Sequence, residues 1–249
     1  MKITAIYGTN HIGSTVLLAR ELIHALPHQP DDIAEFFLPR DFNHFCSGCG
    51  ACFVAENPLC QQTGEQLHPI LAAISQADLI ILASPVYVYH VTGAMKSFLD
   101  HFGCRWIIHR PDGTLTRKTA VLLTTAAGSG IRQTLRDMRD SMNWWGVGRV
   151  QTYGIRSMAL TPSGLTPKVR QKMTHDMQRL ARRLRPAPVT PRTGIRVRYW
   201  LSRKIGGGLQ KADHEYWSSQ GWLHGDLPWK KQGRVAEMKS AARPFMRRP

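Results

Sequence analysis

Along its first 160 residues the chain alternates two hydrophobic patterns. Short apolar runs at Lys2–Tyr7, Asp32–Phe37, Asp78–Ala83, Thr119–Thr125 and Arg149–Ile155 read as strands. Asp78-Leu-Ile-Ile-Leu-Ala83 is apolar at nearly every position, the pattern of a parallel strand covered on both faces. Between these runs apolar residues recur at helical spacing, as at Val16, Leu17, Leu18, Leu22 and Ile23 within Ser14–Leu26. Helices are predicted in the same way over Gln66–Ser75, Gly93–Phe102, Ile131–Trp145 and Lys168–Arg185. Such alternation implies a doubly wound parallel sheet with five strands. Right-handed crossovers then place the loops after the strand C-termini along one edge, where ligands bind. Three such loops stand out: Gly8–Thr15, Ser84–His90 and Thr125–Gly130. The Pro-rich stretch Arg185–Pro191 marks a linker, dividing a domain over 1–185 from an extension over 186–249.

Charge separates the same two parts. The net charge of +16 is uneven: residues 1–100 hold 4 Lys/Arg against 9 Asp/Glu, whereas residues 161–249 hold 20 against 5. The extension is thus basic and could meet an anionic partner. Its Tyr199-Trp200 and Tyr216-Trp217 pairs lie among Arg and Lys, yet no recognised nucleic-acid module surrounds them. Packing against the domain or a second subunit is the favoured reading, because aromatic residues concentrate in interfaces. The expectation is a homo-oligomer without a nucleic-acid partner. No run of 18 apolar residues exists, so no membrane-spanning helix is expected. The start, Met-Lys-Ile-Thr-Ala-Ile-Tyr-Gly, lacks the apolar region of a secretory signal, and a cytoplasmic, reducing setting is expected.

The most concentrated chemistry lies in Cys46-Ser-Gly-Cys-Gly-Ala-Cys-Phe-Val-Ala-Glu-Asn-Pro-Leu-Cys60, which holds four of the five cysteines. Two-residue spacings let Cys46, Cys49 and Cys52 converge, with Gly48 and Gly50 easing a tight loop. Compact Cys₄ loops hold iron–sulfur clusters or tetrahedral zinc; four thiols that bind nothing are the plain alternative. Cys104 reads as a buried structural thiol. His68, His90 and His101 have no ligand spacing with the cysteines. Loop one, Gly8-Thr-Asn-His-Ile-Gly-Ser-Thr15, ends at a helix N-terminus, where free N–H groups and the helix dipole suit a phosphate. Thr9, Asn10, Ser14 and Thr15 are its side-chain donors. It is neither a Walker loop nor a GxGxxG fingerprint, and an ordinary cap by Ser14 or Asn10 is the alternative.

Ser84-Pro85-Val86-Tyr87, followed by Lys96 and Asp100, resembles the NADPH-dependent FMN reductase group of flavodoxin-like proteins. The loop Thr124-Thr-Ala-Ala-Gly-Ser-Gly130 resembles that group's second flavin-side loop. The cysteine run is similar to the C-x₂-C-x₂-C-x₄₋₇-C motif of its iron–sulfur flavoprotein branch. The resemblance covers roughly residues 1–160. It implies a flavodoxin-like sheet in order 2-1-3-4-5 with a basic C-terminal extension. It further implies FMN bound non-covalently by Thr9, Asn10, Ser14 and Thr15 at the phosphate. Pro85, Val86, Tyr87, Val88, Ala127, Gly128 and Gly130 would then lie along the ring. A [4Fe–4S] cluster on Cys46, Cys49, Cys52 and Cys60 is the preferred reading, since a flavin provides an electron partner that zinc could not use. Lys96 and Asp100, four apart, read as a surface ion pair. The expected activity is flavin-dependent electron transfer to or from a small-molecule or protein partner, with NAD(P)H as a possible donor and no catalytic side chain required. A cluster-free NAD(P)H-dependent FMN or quinone reductase is one alternative. A flavin-free binding module whose basic tail recruits an anionic partner is another.

Overall fold

The computed structural model describes residues 1–55, 60, 62–159, 161–184 and 189–230. Five strands, β1 (Ile3–Tyr7), β2 (Ile33–Phe37), β3 (Leu79–Ala83), β4 (Thr119–Ala126) and β5 (Arg149–Arg156), form one parallel sheet in the order β2-β1-β3-β4-β5. Register is continuous, Ile3 facing both Ile33 and Leu79, and Thr119 facing both Leu79 and Arg149. The three central strands are buried along their whole length, as their apolar runs require, whereas β2 and β5 are partly exposed edges.

Helices α1 (Ser14–His24) and α6 (Pro167–Ala181) cover one face, where Val16, Leu18 and Leu22 share a core with Met173 and Met177. Helices α3 (Gly64–Gln76), α4 (Gly93–Asp100) and α5 (Ile131–Trp145) cover the other through Ile70, Met95, Phe98, Met138 and Trp145. The predicted strands and helices of residues 1–184 all form, with ends displaced by a few residues. Three helices have no counterpart in the periodicity: the single turn α2 (Ala51–Val54), α7 (Thr193–Lys204) and α8 (Lys211–Ser219). The linker positions 185–188 lie outside the described residues. Beyond them, α7 and α8 bury Ile195, Tyr199 and Trp217 in a third cluster with Ile107, Trp222 and Leu227. Among the described residues no helix is long and apolar enough to cross a membrane.

Candidate functional site

Loops one, two and three leave the C-terminal ends of β1, β3 and β4, neighbours at the point where the strand order reverses. They are tied together. Gly8 donates its N–H to Ala83 O at 2.8 Å, and a Cβ there would stand 2.9 Å from Thr92 Oγ1 and 3.0 Å from Ser84 Oγ. Thr15 Oγ1 meets Thr125 Oγ1 at 2.7 Å in a buried bond between loops one and three.

The first helix starts without a side-chain cap. Gly13 is its N-cap, Asn10 is exposed at the loop tip, and neither Ser14 nor Asn10 caps α1. Ser14 is buried, and its hydroxyl has no hydrogen-bond partner among the described residues. Thr9 is also buried, with Oγ1 at 2.7 Å from His11 Nδ1. An uncapped helix start beside an orphaned buried hydroxyl is an arrangement that an anion would satisfy. Of the four predicted donors, Thr15 is instead committed to Thr125.

Loop two turns back on itself: Tyr87 and His90 exchange N–H···O bonds of 3.0 Å, with Val88 (φ 48°) and Tyr89 (φ 69°) at the turn. A β-branched residue in the left-handed region is strained, and such strain gathers at functional sites. Val88 is 92% exposed, Tyr87 is half exposed, and Pro85 and Val86 are half-buried. His90 Nδ1 bonds Asp137 on α5 at 2.9 Å. In loop three, Ala127 and Gly128 are exposed and Gly130 is buried under loop two. Gly130 has φ 96°, and a Cβ on it would lie 2.5 Å from Val86 Cγ1 and 2.8 Å from Tyr89 Cα. Gly128 differs, because its Cβ would enter open space. Lys96 and Asp100 form the predicted exposed ion pair on α4.

The cysteine run follows β2. Gly48 (φ 70°) and Gly50 (φ 71°) take the left-handed conformations that the short spacings need, and Gly50 opens α2. Cys46, Cys49, Cys52 and Cys60 all line one cavity of about 150 Å³, with Asp100 and His101 on its wall. Cys46 and Cys49 are exposed, whereas Cys52 and Cys60 are half-buried. The N–H of Ala51 and the Ser47 side chain hold the Cys49 thiol below its ordinary range, whereas burial pushes Cys52 up. Cys104 is buried, as expected, but it also bonds Cys52, and burial pushes its thiol up to about 12. Sequence spacing offered no link between His101 and the cysteines; α4 carries it to the cavity wall. Its Nδ1 meets Ser97 O at 2.8 Å, and its buried Nε2 has no hydrogen-bond partner among the described residues. Four sulfur donors around one cavity suit an iron–sulfur cluster or zinc in kind. Among the described residues, however, no three Cys, His, Asp or Glu side chains converge closely enough to hold a metal ion as they stand.

Residues 1–159 match the family of NADPH-dependent FMN reductases. An iron-sulfur flavoprotein of Archaeoglobus fulgidus is 27% identical over 187 residues, covering 72% of this chain and 80% of that protein. A second protein of that description and organism is 30% identical over 104 residues, 40% of this chain and 48% of its own length. Among solved structures, an azoreductase from Bacillus anthracis str. Sterne superposes with a TM-score of 0.57 at 11% identity, covering 74% of this chain and 100% of that one. An apo NADH:FMN oxidoreductase does so at 0.53 and 20% identity, covering 78% and 95%. These two structures share the fold. With the family match spanning all five strands and the three loops, the chain belongs to the NADPH-dependent FMN reductases and is a flavin-dependent oxidoreductase.

Proposed function

We propose that the three loops hold FMN non-covalently, that the cysteine run holds a [4Fe–4S] cluster, and that the protein is an electron-transfer flavoprotein. The observation that carries the flavin assignment is the uncapped start of α1 over the buried, unpartnered Ser14 hydroxyl. The N–H groups of that turn, with Thr9, Asn10 and Ser14, receive the phosphate, while Thr15 holds loop three in place. Pro85, Val86, Tyr87 and Val88 form one wall for the ring, and Ala127, Gly128 and Gly130 form the other. The open space beside Gly128 suits a flat group approaching the backbone. Bound FMN supplies the redox chemistry, and the protein orients it and limits its contact with water. Cys46, Cys49, Cys52 and Cys60 would hold the cluster, which would supply one-electron redox chemistry. The cavity that all four thiols line supports this, as does the relative described as an iron-sulfur flavoprotein. NAD(P)H is the proposed donor, and a small molecule or a protein is the partner.

A second reading is a cluster-free NAD(P)H-dependent FMN or quinone reductase. It is favoured by the exposure of Cys46 and Cys49 and by the lack of convergence among the sulfurs. Anaerobic purification with flavin, iron and sulfide analysis separates the two: the cluster reading expects about four irons per chain. Stoichiometric FMN without iron selects the reductase. The phosphate site is tested by S14A, which should weaken FMN binding about tenfold through loss of a charge-assisted hydrogen bond. FMN binding by S14A equal to that of the parent protein refutes the assignment of loop one.

A further inference from the structure

The C-terminal extension reaches the cysteine cavity from behind. The segment joining α4 to β4 lies between them, gripped by α8: Trp217 Nε1 donates to His109 O at 2.7 Å, and the Tyr216 hydroxyl donates to Pro111 O at 2.6 Å. Within this packing Asp213 is wholly buried. Its carboxylate accepts from His109 Nδ1 at 2.8 Å and from the Gln210 N–H at 3.2 Å, and its Oδ1 lies 3.3 Å from Arg110 Nε. Arg110 is itself only 2% exposed, and it turns its terminal nitrogens toward the cysteine run. Nη1 donates to Ala55 O at 2.5 Å and Nη2 donates to Cys52 O. Phe53, between those two carbonyls, packs its ring edge-on against His109 at 4.8 Å.

A buried guanidinium is costly unless it is paired, and its planar fork points one way only when an edge is fixed. Asp213 lies against that edge: its charge offsets that of Arg110, and the ion pair at 3.3 Å draws Nε toward it while the two Nη groups meet the turn carrying Cys52. The family match ends at residue 159, so the residue that orients this fork comes from outside it.

We propose that Asp213 is a positioning residue for the cysteine site, acting through Arg110, and that this site is complete only with the C-terminal extension docked. The proposal rests on reading the four cysteines as the redox site. It does not require that the metal be present for its test.

The test uses the full-length protein. D213N removes the charge that orients Arg110. R110K keeps a cation for Asp213 but cannot reach both carbonyls. Y216F removes a different bond from α8 to the same segment and serves as the control. In metal-free protein, the rate at which iodoacetamide alkylates Cys52, read by peptide mass spectrometry, should rise about tenfold in D213N and R110K through local opening. It should be unchanged in Y216F, and the FMN affinity of all three should stay within about twofold of the parent. In iron-loaded protein, D213N should alter the electron paramagnetic resonance line shape of the reduced cluster, and Y216F should not. Alkylation of Cys52 at the parental rate in both D213N and R110K overturns the proposal. So does an equal rise in Y216F, or an FMN affinity that falls in step with the alkylation. A parent protein without iron would end the cluster reading and leave the alkylation result standing.

Discussion

Substituting Gly130 by alanine tests the contact between loops two and three where the proposed flavin site closes. Two costs arise. At φ 96° an alanine occupies a conformation that L-residues rarely adopt, worth about 1–2 kcal/mol. The new methyl would also stand 2.5 Å from Val86 Cγ1 and 2.8 Å from Tyr89 Cα, one contact being with backbone that cannot rotate away. Overpacking of this kind adds about 1–3 kcal/mol. If loop two holds its place, the loss of stability is about 2–5 kcal/mol, measured by urea denaturation of the apo protein. If loop two retreats instead, the stability loss shrinks, but Pro85–Val88 move and FMN affinity falls, measured by quenching of flavin fluorescence. Gly128→Ala is the internal control, because nothing lies within 4 Å of its Cβ. Its apo stability should change by less than about 0.5 kcal/mol. Its FMN affinity should still fall, because the methyl enters the space assigned to the ring. A Gly130→Ala protein that matches the parent in both stability and FMN affinity refutes the reasoning.

Two further predictions concern buried groups away from the loops. Lys118 is buried, and its ammonium donates to Ile74 O at 3.0 Å, to Ala77 O at 2.9 Å and to Ser75 O, at the C-terminal end of α3. Lys118→Met should cost about 2–3 kcal/mol in urea unfolding, since three carbonyls lose their donor and the helix end loses its cation; an unchanged midpoint refutes this. Cys104 gives a pH dependence. Its thiol titrates at about 12 in the folded chain against 9.0 ordinarily, so the native state binds this proton more tightly than the unfolded state. The resulting stability is fully present below pH 9.0 and is lost as pH rises through about 12, with a ceiling of about 4 kcal/mol at about 1.4 kcal/mol per unit. The stability difference between parent and Cys104→Ala should therefore shrink by about 2 kcal/mol from about pH 8 to about pH 10.5; a constant difference refutes it.

The sheet and the loop-bearing edge of it were legible because burial on both faces leaves a local mark. Leu79–Ala83 is apolar throughout since helices cover it above and below, and Ile131–Trp145 shows its buried stripe within one stretch. The flanks Gly8, Ser84 and Gly130 also show locally, as each must pass close to a neighbouring loop. Whether α1 is capped was not legible: the sequence left a phosphate site and a cap by Ser14 or Asn10 both open, and only the fold buries Ser14 without a hydrogen-bond partner among the described residues. Helices α7 and α8 escaped as well. Basic and aromatic residues interleave there, and the apolar face shows only once Tyr199 and Trp217 are seen packed on Ile107.

Sequence alone thus determined the alternation of strands and helices, the parallel sheet, the three loops on one edge and the clustering of four cysteines, since each depends on residues close together in the chain. Tertiary structure alone decided what stands behind those features. It placed Cys104 against Cys52, brought His101 to the cysteine cavity, and ran a buried path from Asp213 through Arg110 to the Cys52 carbonyl. These pairings join distant positions whose side chains carry no periodic signature. A buried charge reveals its partner only when the fold removes the water that would otherwise solvate it.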